Sequence, residues 1–313
     1  MKYLFGPVPS RRLGRSLGID LLIEKICNFN CVYCEVAPTK VFGTERKEFI
    51  PAEEVISELK DYLIKNISSP PDFITFSGSG EPTLHSKLGY IIDEIQKMTD
   101  IPVAVITNSG TITDPSVYND LLKADLVIPS LDAVSRKVLY KINKIPPELD
   151  IEKMIDTLKK FTEEFSGEVW LEILVCKNIN DQEEEFLNLK KAVDYINPKI
   201  VQVHTISRPP MAGKPGKADE SSLKRLAEII GEKATIVRSF NDLNRKSSGC
   251  SSDIELLKSL LRVRSCHLEE IVDATGISAD TVLKLVNNLE LEGVIKREIF
   301  DNNEYFKILK VKR

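Results

Sequence analysis

The clearest chemical signal in the chain is a cluster of three cysteines. Cys27, Cys31 and Cys34 stand in Lys25-Ile26-Cys27-Asn28-Phe29-Asn30-Cys31-Val32-Tyr33-Cys34, a C-x3-C-x2-C spacing. Thiolates this close in sequence can wrap one iron–sulfur cube, and three of them leave a fourth iron open to another ligand. A structural zinc site wants four protein ligands. No fourth cysteine lies nearby, and only the fold can bring His85 to the cluster. Iron–sulfur ligation is the leading reading and zinc the alternative. Cys176, Cys250 and Cys266 are scattered, and six cysteines in 313 residues are too few for a disulfide scaffold. In a reducing compartment a tight cysteine set points to metal binding or catalysis.

Short polar motifs follow, each after a β-branched run. In Phe76-Ser77-Gly78-Ser79-Gly80-Glu81-Pro82 the glycines Gly78 and Gly80 allow close backbone approach to a ligand. The Glu81 carboxylate suits a ligand ammonium. Thr107-Asn108-Ser109-Gly110, Ser130-Leu131-Asp132 and Asn178-Ile179-Asn180-Asp181 come next, each of which alone is also ordinary turn chemistry. Gln202 and His204, two residues apart on a strand, point to one face and would line a cavity if that face is inward. Arg208 follows them, and a satisfied core histidine is the competing reading. Arg11, Arg12 and Arg15 precede the first strand and suit a substrate phosphate or carboxylate, or a solvated arm.

These residues need a frame. Strands are predicted at Gly18–Ile23, Phe73–Ser77, Val103–Thr107, Leu126–Ser130, Val169–Val175 and Ile200–Ile206. Amphipathic helices are predicted between them, at Ala52–Asn66, Lys87–Met98, Ser116–Lys123, Ile151–Phe165 and Glu183–Tyr195. Strands alternating with helices predict an α/β fold with a parallel sheet, open or partly barrel-shaped. Ser207–Ala218, rich in proline and glycine, reads as a mobile loop. A polar stretch at 241–252 reads as a linker between residues 1–240 and a second unit at 253–313. In that unit helices at Ile254–Val263, Leu268–Thr275 and Ala279–Glu292 precede strand-like runs at Val294–Ile299 and Glu304–Leu309, a winged-helix-like order.

The cysteine loop, with Tyr33 directly before Cys34, resembles that of the radical S-adenosylmethionine (radical SAM) superfamily. The resemblance implies a partial (β/α)6 barrel of the TIM type, with the loop after its first strand. It also implies a [4Fe–4S] cluster on Cys27, Cys31 and Cys34, whose open iron chelates S-adenosylmethionine. One electron then cleaves that cofactor to methionine and a 5′-deoxyadenosyl radical, which abstracts hydrogen from a substrate. The polar motifs match in order. Ser77, Gly78, Gly80 and Glu81 resemble the family's Gly-Gly-Glu-type segment, with Ser79 as a departure. Asn108, Ser130, Asp132 and Asn178 fall at the further cofactor-binding positions. The opening Phe5-Gly6-Pro7-Val8-Pro9-Ser10-Arg11-Arg12-Leu13-Gly14-Arg15-Ser16-Leu17-Gly18 is similar to a subgroup related to the wyosine-forming tRNA enzymes.

The resemblance makes a tRNA base the expected substrate and a flavodoxin- or ferredoxin-type protein the expected electron donor. Two other functions compete: a redox-sensing iron–sulfur transcription factor, and a protein-modifying radical activase. A sensor has no use for the full set of cofactor-side motifs, and activases commonly carry extra ferredoxin-like cysteine motifs. The net charge of -4 argues against bulk electrostatic coating of nucleic acid. Lys284, Asn287 and Asn288 give the would-be recognition helix little positive charge, so DNA is not the expected partner, although Lys307, Lys310, Lys312 and Arg313 suit a phosphate contact. No apolar run approaches the ~20 residues of a membrane span, and the N-terminus lacks a signal-peptide core, so a cytoplasmic protein is expected.

Overall fold

The computed structural model describes residues 1–22, 24–211, 213–237 and 253–309. The expected linker at 241–252 and Cys250 lie outside the described residues. No helix among the described residues is long and apolar enough to cross a membrane.

The chain opens with an antiparallel hairpin, β1 (Leu4–Ser10) and β2 (Gly14–Ile19). Sequence reasoning missed β1 because Pro7 and Pro9 argue against a strand; β1 is the sheet edge, where missing N–H donors are tolerated. Pairing with β1 also moves the predicted first strand back, so that β2 ends at Ile19. Two short strands, β3 (Ile26–Cys27) and β4 (Val41–Phe42), bracket the cysteine loop.

The βα alternation then runs α1 (Ala52–Lys65), β5 (Phe73–Phe76), α2 (Leu88–Met98), β6 (Val103–Thr107), α3 (Pro115–Leu121) and β7 (Leu126–Pro129). It continues with α4 (Arg136–Asn143), α5 (Ile151–Glu164), β8 (Glu168–Lys177), α6 (Glu183–Ile196) and β9 (Ile200–Thr205). Last come β10 (Gly216–Lys217), α7 (Glu220–Ile230) and β11 (Ala234–Ile236). The helix starts follow local chemistry. Pro51 precedes α1, whose first turn carries Glu53 and Glu54 against the helix dipole. The Asp150 carboxylate accepts from Lys153 N at the start of α5.

The main sheet has the order β1-β2-β5-β6-β7-β8-β9-β11, parallel from β2 onward, with β10 antiparallel beside the end of β8. Helix faces such as Val55 and Leu59 of α1 and Ile91, Ile92 and Ile95 of α2 are buried against it. Each fully buried aliphatic side chain contributes about 2 kcal/mol of transfer free energy.

Beyond residue 252 come α8 (Asp253–Val263), α9 (Leu268–Thr275), α10 (Ala279–Leu291) and a hairpin of β12 (Ile295–Phe300) and β13 (Asn303–Ile308). Leu257, Leu260 and Ile271 from this part share one core with Phe5 and Val8 of β1. The edge of the sheet is thereby covered rather than left to pair with another chain.

The stretch 207–218, expected to be loose, is tied down at several points. Arg208 is buried, Met211 N donates to Cys34 O at 2.7 Å, β10 pairs with β8, and Ala218 N donates to Thr205 Oγ1 at 2.8 Å. These contacts pin the described parts of the stretch near both ends, where the composition predicts a mobile loop.

Candidate active site

The cysteine loop leaves the top of β2 and is docked by backbone bonds to the end of α4: Asn30 N donates to Asn143 O at 3.0 Å and Val32 N to Ile142 O at 2.8 Å. Within it Cys34 N donates to Cys31 O at 3.1 Å, a turn that brings the last two cysteines together. Each sulfur has a polar neighbour. Asn108 Nδ2 donates to Cys27 Sγ at 3.4 Å, and Asn143 Nδ2 donates to Cys31 Sγ at 3.2 Å. The buried Lys25 ammonium hydrogen-bonds Cys34. Burial alone would lower the Lys25 pKa, but the three thiols outweigh it and raise it. Burial pushes the Cys27 thiol up to about 11 against the pull of Lys25, and pushes Cys31 up further.

The turn after β5 runs directly beneath this loop. A Cβ on Gly80 would stand 1.8 Å from Ile26 O, so only glycine lets the two backbones pass. Gly78 has φ +134 and lies against Asp20. Ser79 faces away from the cavity, with Ser79 N donating to Asp20 Oδ1 at 3.1 Å. Glu81 is buried and accepts from Thr83 Oγ1 at 2.7 Å, Thr107 Oγ1 at 2.7 Å and Asn108 N at 2.8 Å. Burial raises the Glu81 pKa while those bonds oppose it. Asp132, after β7, accepts from Asn143 Nδ2 at 2.7 Å, Leu174 N at 2.9 Å and the Tyr33 hydroxyl. Its carboxyl is likewise raised by burial, with the hydrogen bonds opposing.

The facing wall is charged. Arg12, from the β1–β2 turn, forms an ion pair with Glu172 of β8. His204 Nε2 of β9 lies 2.7 Å from Glu172 Oε1, an ion-pair distance outside hydrogen-bond geometry. Burial would raise Glu172, but Arg12 and His204 hold its carboxyl well below the usual range. Arg208 contacts Glu35 Oε2 at 3.3 Å and Glu270 Oε1 at 2.7 Å, joining the cysteine loop to α9.

One cavity of about 350 Å³ lies between the walls. It is lined by Cys27, Cys31 and Cys34 on one side, by Ser77, Gly78, Gly80 and Glu81 below, and by Asn108, Ser130 and Asp132 at the strand ends. Polar groups at the carboxyl ends of parallel strands are the usual arrangement of barrel-type sites. A family model described as the radical SAM superfamily matches residues 22–189, a span that holds all three cysteines and most of these strand ends.

The chain belongs to the radical SAM superfamily. It is 33% identical to the UPF0026 protein of Methanocaldococcus jannaschii, over 98% of this chain and 96% of that one. It is also 35% identical to a Brachyspira hyodysenteriae protein named GTPase Obg, over 95% of this chain, and spans only 44% of that protein's length. Among solved structures, Streptococcus suis SuiB bound to S-adenosylmethionine shares the fold over 72% of this chain and 53% of that one, with TM-score 0.54 and 16% identity.

The superfamily implies a [4Fe–4S] cluster and S-adenosylmethionine, and the residues present fit them. The donors are three soft thiols, each with an amide or ammonium neighbour to offset thiolate charge. Among the described residues no fourth His, Cys, Asp or Glu side chain joins the three cysteines in one ligand group, as a structural zinc site would need. His85 is buried instead near Ile50, its Nε2 3.0 Å from Ile50 O.

Not every expected residue of this radical SAM chain reaches the cavity. Arg15 is turned outward, its Nη1 donating to Ser69 Oγ at 2.9 Å, because alternation along β2 points it away. Asn178 is exposed in a left-handed turn at φ 61. Asn180 is the buried member of that loop, bonding Cys176 N, Asp132 O and Leu174 O. Gln202 is buried one layer back, 3.5 Å from Arg12 Nη1. Lys25, Asn143 and Glu172 were missed. Glu172 had a signal, a lone carboxylate inside the apolar run Val169–Val175; Asn143 had none, since it sits at the end of a helix that sequence periodicity did not reveal.

Proposed function

We propose that the protein is an enzyme that reductively cleaves S-adenosylmethionine at a [4Fe–4S] cluster held by Cys27, Cys31 and Cys34, to begin radical chemistry on a substrate in the same cavity. The observation that carries this reading is the convergence of the three thiols with Ser77, Gly80, Glu81, Asn108 and Asp132 on one cavity. When bound, the cluster and S-adenosylmethionine together supply the radical that takes a hydrogen atom from the substrate.

The chain's own residues do the rest. Asn108, Asn143 and Lys25 donate to the sulfurs and orient the cysteine loop. Glu81, held by four donors from Thr83, Thr107 and Asn108, presents a fixed carboxylate beside the glycine turn, where a ligand ammonium is well placed to pair with it. Asp132 locks Tyr33 and Asn143 in position.

The part beyond residue 252, three helices and a hairpin, is read as a winged-helix-like unit that caps the cavity. A flavodoxin- or ferredoxin-type protein is the proposed electron donor. A tRNA base is the proposed substrate, supported by the resemblance of the opening segment to a subgroup related to the wyosine-forming tRNA enzymes.

The test is anaerobic reconstitution with iron and sulfide, then dithionite and S-adenosylmethionine, with 5′-deoxyadenosine read by mass spectrometry. Formation by the wild type and not by a Cys27/Cys31/Cys34→Ala variant is the expected result. No product from protein with an intact four-iron cluster and bound S-adenosylmethionine would overturn the reading and favour a redox sensor.

A further inference from the structure

The exposed face of α4 carries charge of one sign. Residues 136–144, Arg-Lys-Val-Leu-Tyr-Lys-Ile-Asn-Lys, hold four cations and no acid in a chain of net charge -4. Lys137, Tyr140, Lys141 and Lys144 stand at i, i+3, i+4 and i+7, the spacing of a single helix face. All four are exposed, Tyr140 by 53%. Among the described residues no acid pairs with Lys137, Lys141 or Lys144, and Lys144 lies instead over the Tyr140 ring, 5.5 Å from its centre. Helices α5, α6 and α7 by contrast set lysines beside acids one turn away: Lys159 with Glu163, Lys190 with Asp194 and Lys224 with Glu220. Lys137 and Lys141, like charges four residues apart, weaken their own helix. A surface that costs stability in this way is explained by something that binds it.

The opposite face of α4 holds the cysteine loop. Leu139, Ile142 and Asn143 are buried, and Asn143 reaches Cys31 Sγ at 3.2 Å. One helix diameter, about 10 Å, therefore separates the cationic face from that sulfur. Among the described residues, none of α4 lines the cavity. The face thus stands behind the cysteine loop, close to the thiols and apart from the space a substrate would fill.

We infer that this face docks the protein that delivers the electron, an acidic one-electron carrier whose carboxylates meet Lys137, Lys141 and Lys144 around the Tyr140 ring. The inference rests on the proposed radical reading, which needs an external electron, and adds where the carrier binds. A nucleic acid would also meet the lysines, but a base to be modified has to enter the cavity, which α4 does not line. A carrier has only to approach the sulfurs, and complementary charge suits a small, short-lived contact whose main need is fast encounter. In the step itself the reduced carrier loses one electron and the oxidised four-iron cluster gains it. No bond forms or breaks, and no proton moves.

An acidic flavodoxin and an acidic two-iron ferredoxin, each reduced beforehand, are the probes. Reduction of the anaerobically reconstituted full chain is followed by stopped-flow absorbance without S-adenosylmethionine, and binding of the oxidised carriers by titration calorimetry. At least one carrier is expected to bind and to reduce the cluster at a rate that falls as salt rises. The triple variant Lys137→Gln, Lys141→Gln, Lys144→Gln should bind it more weakly, react about tenfold more slowly and lose most of the salt dependence. The same three positions changed to Arg should stay near wild type. Lys159→Gln, Lys190→Gln and Lys224→Gln together remove equal charge from other helices and should change the rate little. Full reduction by dithionite and an unaltered melting temperature show that cluster and fold are intact in each variant. If the triple Gln variant does not fold, Lys137→Gln and Lys141→Gln alone carry the test, each with a smaller loss.

Reduction of wild type by neither carrier, or equal rates for the α4 variant and the control variant, overturns the inference. Loss of bulk tRNA binding by the α4 variant, with its carrier rate unchanged, would overturn it in favour of an RNA surface. Cleavage of S-adenosylmethionine driven by dithionite is scored separately. Its failure beside carrier-dependent reduction faults only the radical reading, and its success without that reduction faults only the docking face.

Discussion

The cysteine-bearing wall of the cavity takes its three thiols from eight consecutive residues, whereas the facing wall joins Arg12 to Glu172 across 160 residues and to Gln202 across 190. The first is a local loop whose ligands are adjacent before the chain folds. The second exists only once the N-terminal hairpin, β8 and β9 are side by side in the sheet. The cysteine wall therefore depends on the group it binds, and the charged wall depends on the fold around it. Damage to the two should look different.

The largest effect should come from the cysteines. Replacing Cys27, Cys31 and Cys34 together by Ala is expected to abolish cluster incorporation, read from iron and sulfide content and loss of the visible charge-transfer band, while the far-ultraviolet circular dichroism stays close to wild type. Unfolding of that variant would break the contrast, since it would show that the cysteine wall also holds up the fold.

Glu172→Gln tests the other wall. It removes the buried carboxylate between Arg12 and His204 and leaves the half-buried Arg12 without its counter-charge. Breaking one partner of a buried pair costs about 3 kcal/mol, to be measured by denaturant unfolding, with cluster content little changed. The pH dependence follows from the sign of the shift. The native Glu172 carboxyl sits far below its unfolded value, so its contribution is complete at neutral pH. It is lost progressively as the pH falls below the ordinary carboxylate range. The variant should lack that part of the acid slope.

Gly80→Ala lies where the cysteine loop meets the sheet. Its Cβ would enter the space of Ile26 O, and relief requires one backbone to move. A loss of about 2 kcal/mol is expected, together with weaker cluster retention on gel filtration, because Ile26 directly precedes Cys27.

Asn143→Ala should have the smallest effect on stability and a specific effect on the cluster. Removing the donor to Cys31 Sγ leaves that thiolate more negative and disfavours reduction. A hydrogen bond of about 1 kcal/mol corresponds to roughly 40 mV for a one-electron couple, so a redox titration followed by electron paramagnetic resonance should show the potential lowered by that order. An unchanged potential would mean that Asn143 serves only Asp132 and Tyr33.

The residues that were legible before folding share one property: their meaning is carried by neighbours a few positions away. The cysteine spacing, the glycines around Ser79 and the polar ends of the apolar runs at 103–107 and 126–130 are all of this kind. Most of them line the cavity. The misread residues depend on long-range geometry. Arg15 looked equivalent to Arg11 and Arg12, yet pairing with β1 set a register that turned it outward to Ser69. Asn178 and Asn180 have the same side chain two positions apart, and only the left-handed turn at Asn178 decided which one entered the interior. The stretch 207–218 has the composition of a loose loop, but Arg208 found Glu35 and Glu270, acids 173 residues before it and 62 residues after it.

From the sequence alone came the alternation of short apolar strands and amphipathic helices, and the cysteine loop whose spacing points to a metal cluster. Periodicity and ligand spacing are local quantities, so a reading of neighbours suffices for them. The tertiary structure alone decided which charges meet, because an ion pair such as Arg12–Glu172 needs the order and register of the sheet. It also decided that the part beyond residue 252 reaches the cavity through Val263 and Arg264, since its seat on β1 is made by apolar surfaces with no distinctive motif, Phe5 and Val8 against Leu257 and Leu260. Burial gives those surfaces their energy and close packing gives them their specificity, and neither exists until the segments are in contact.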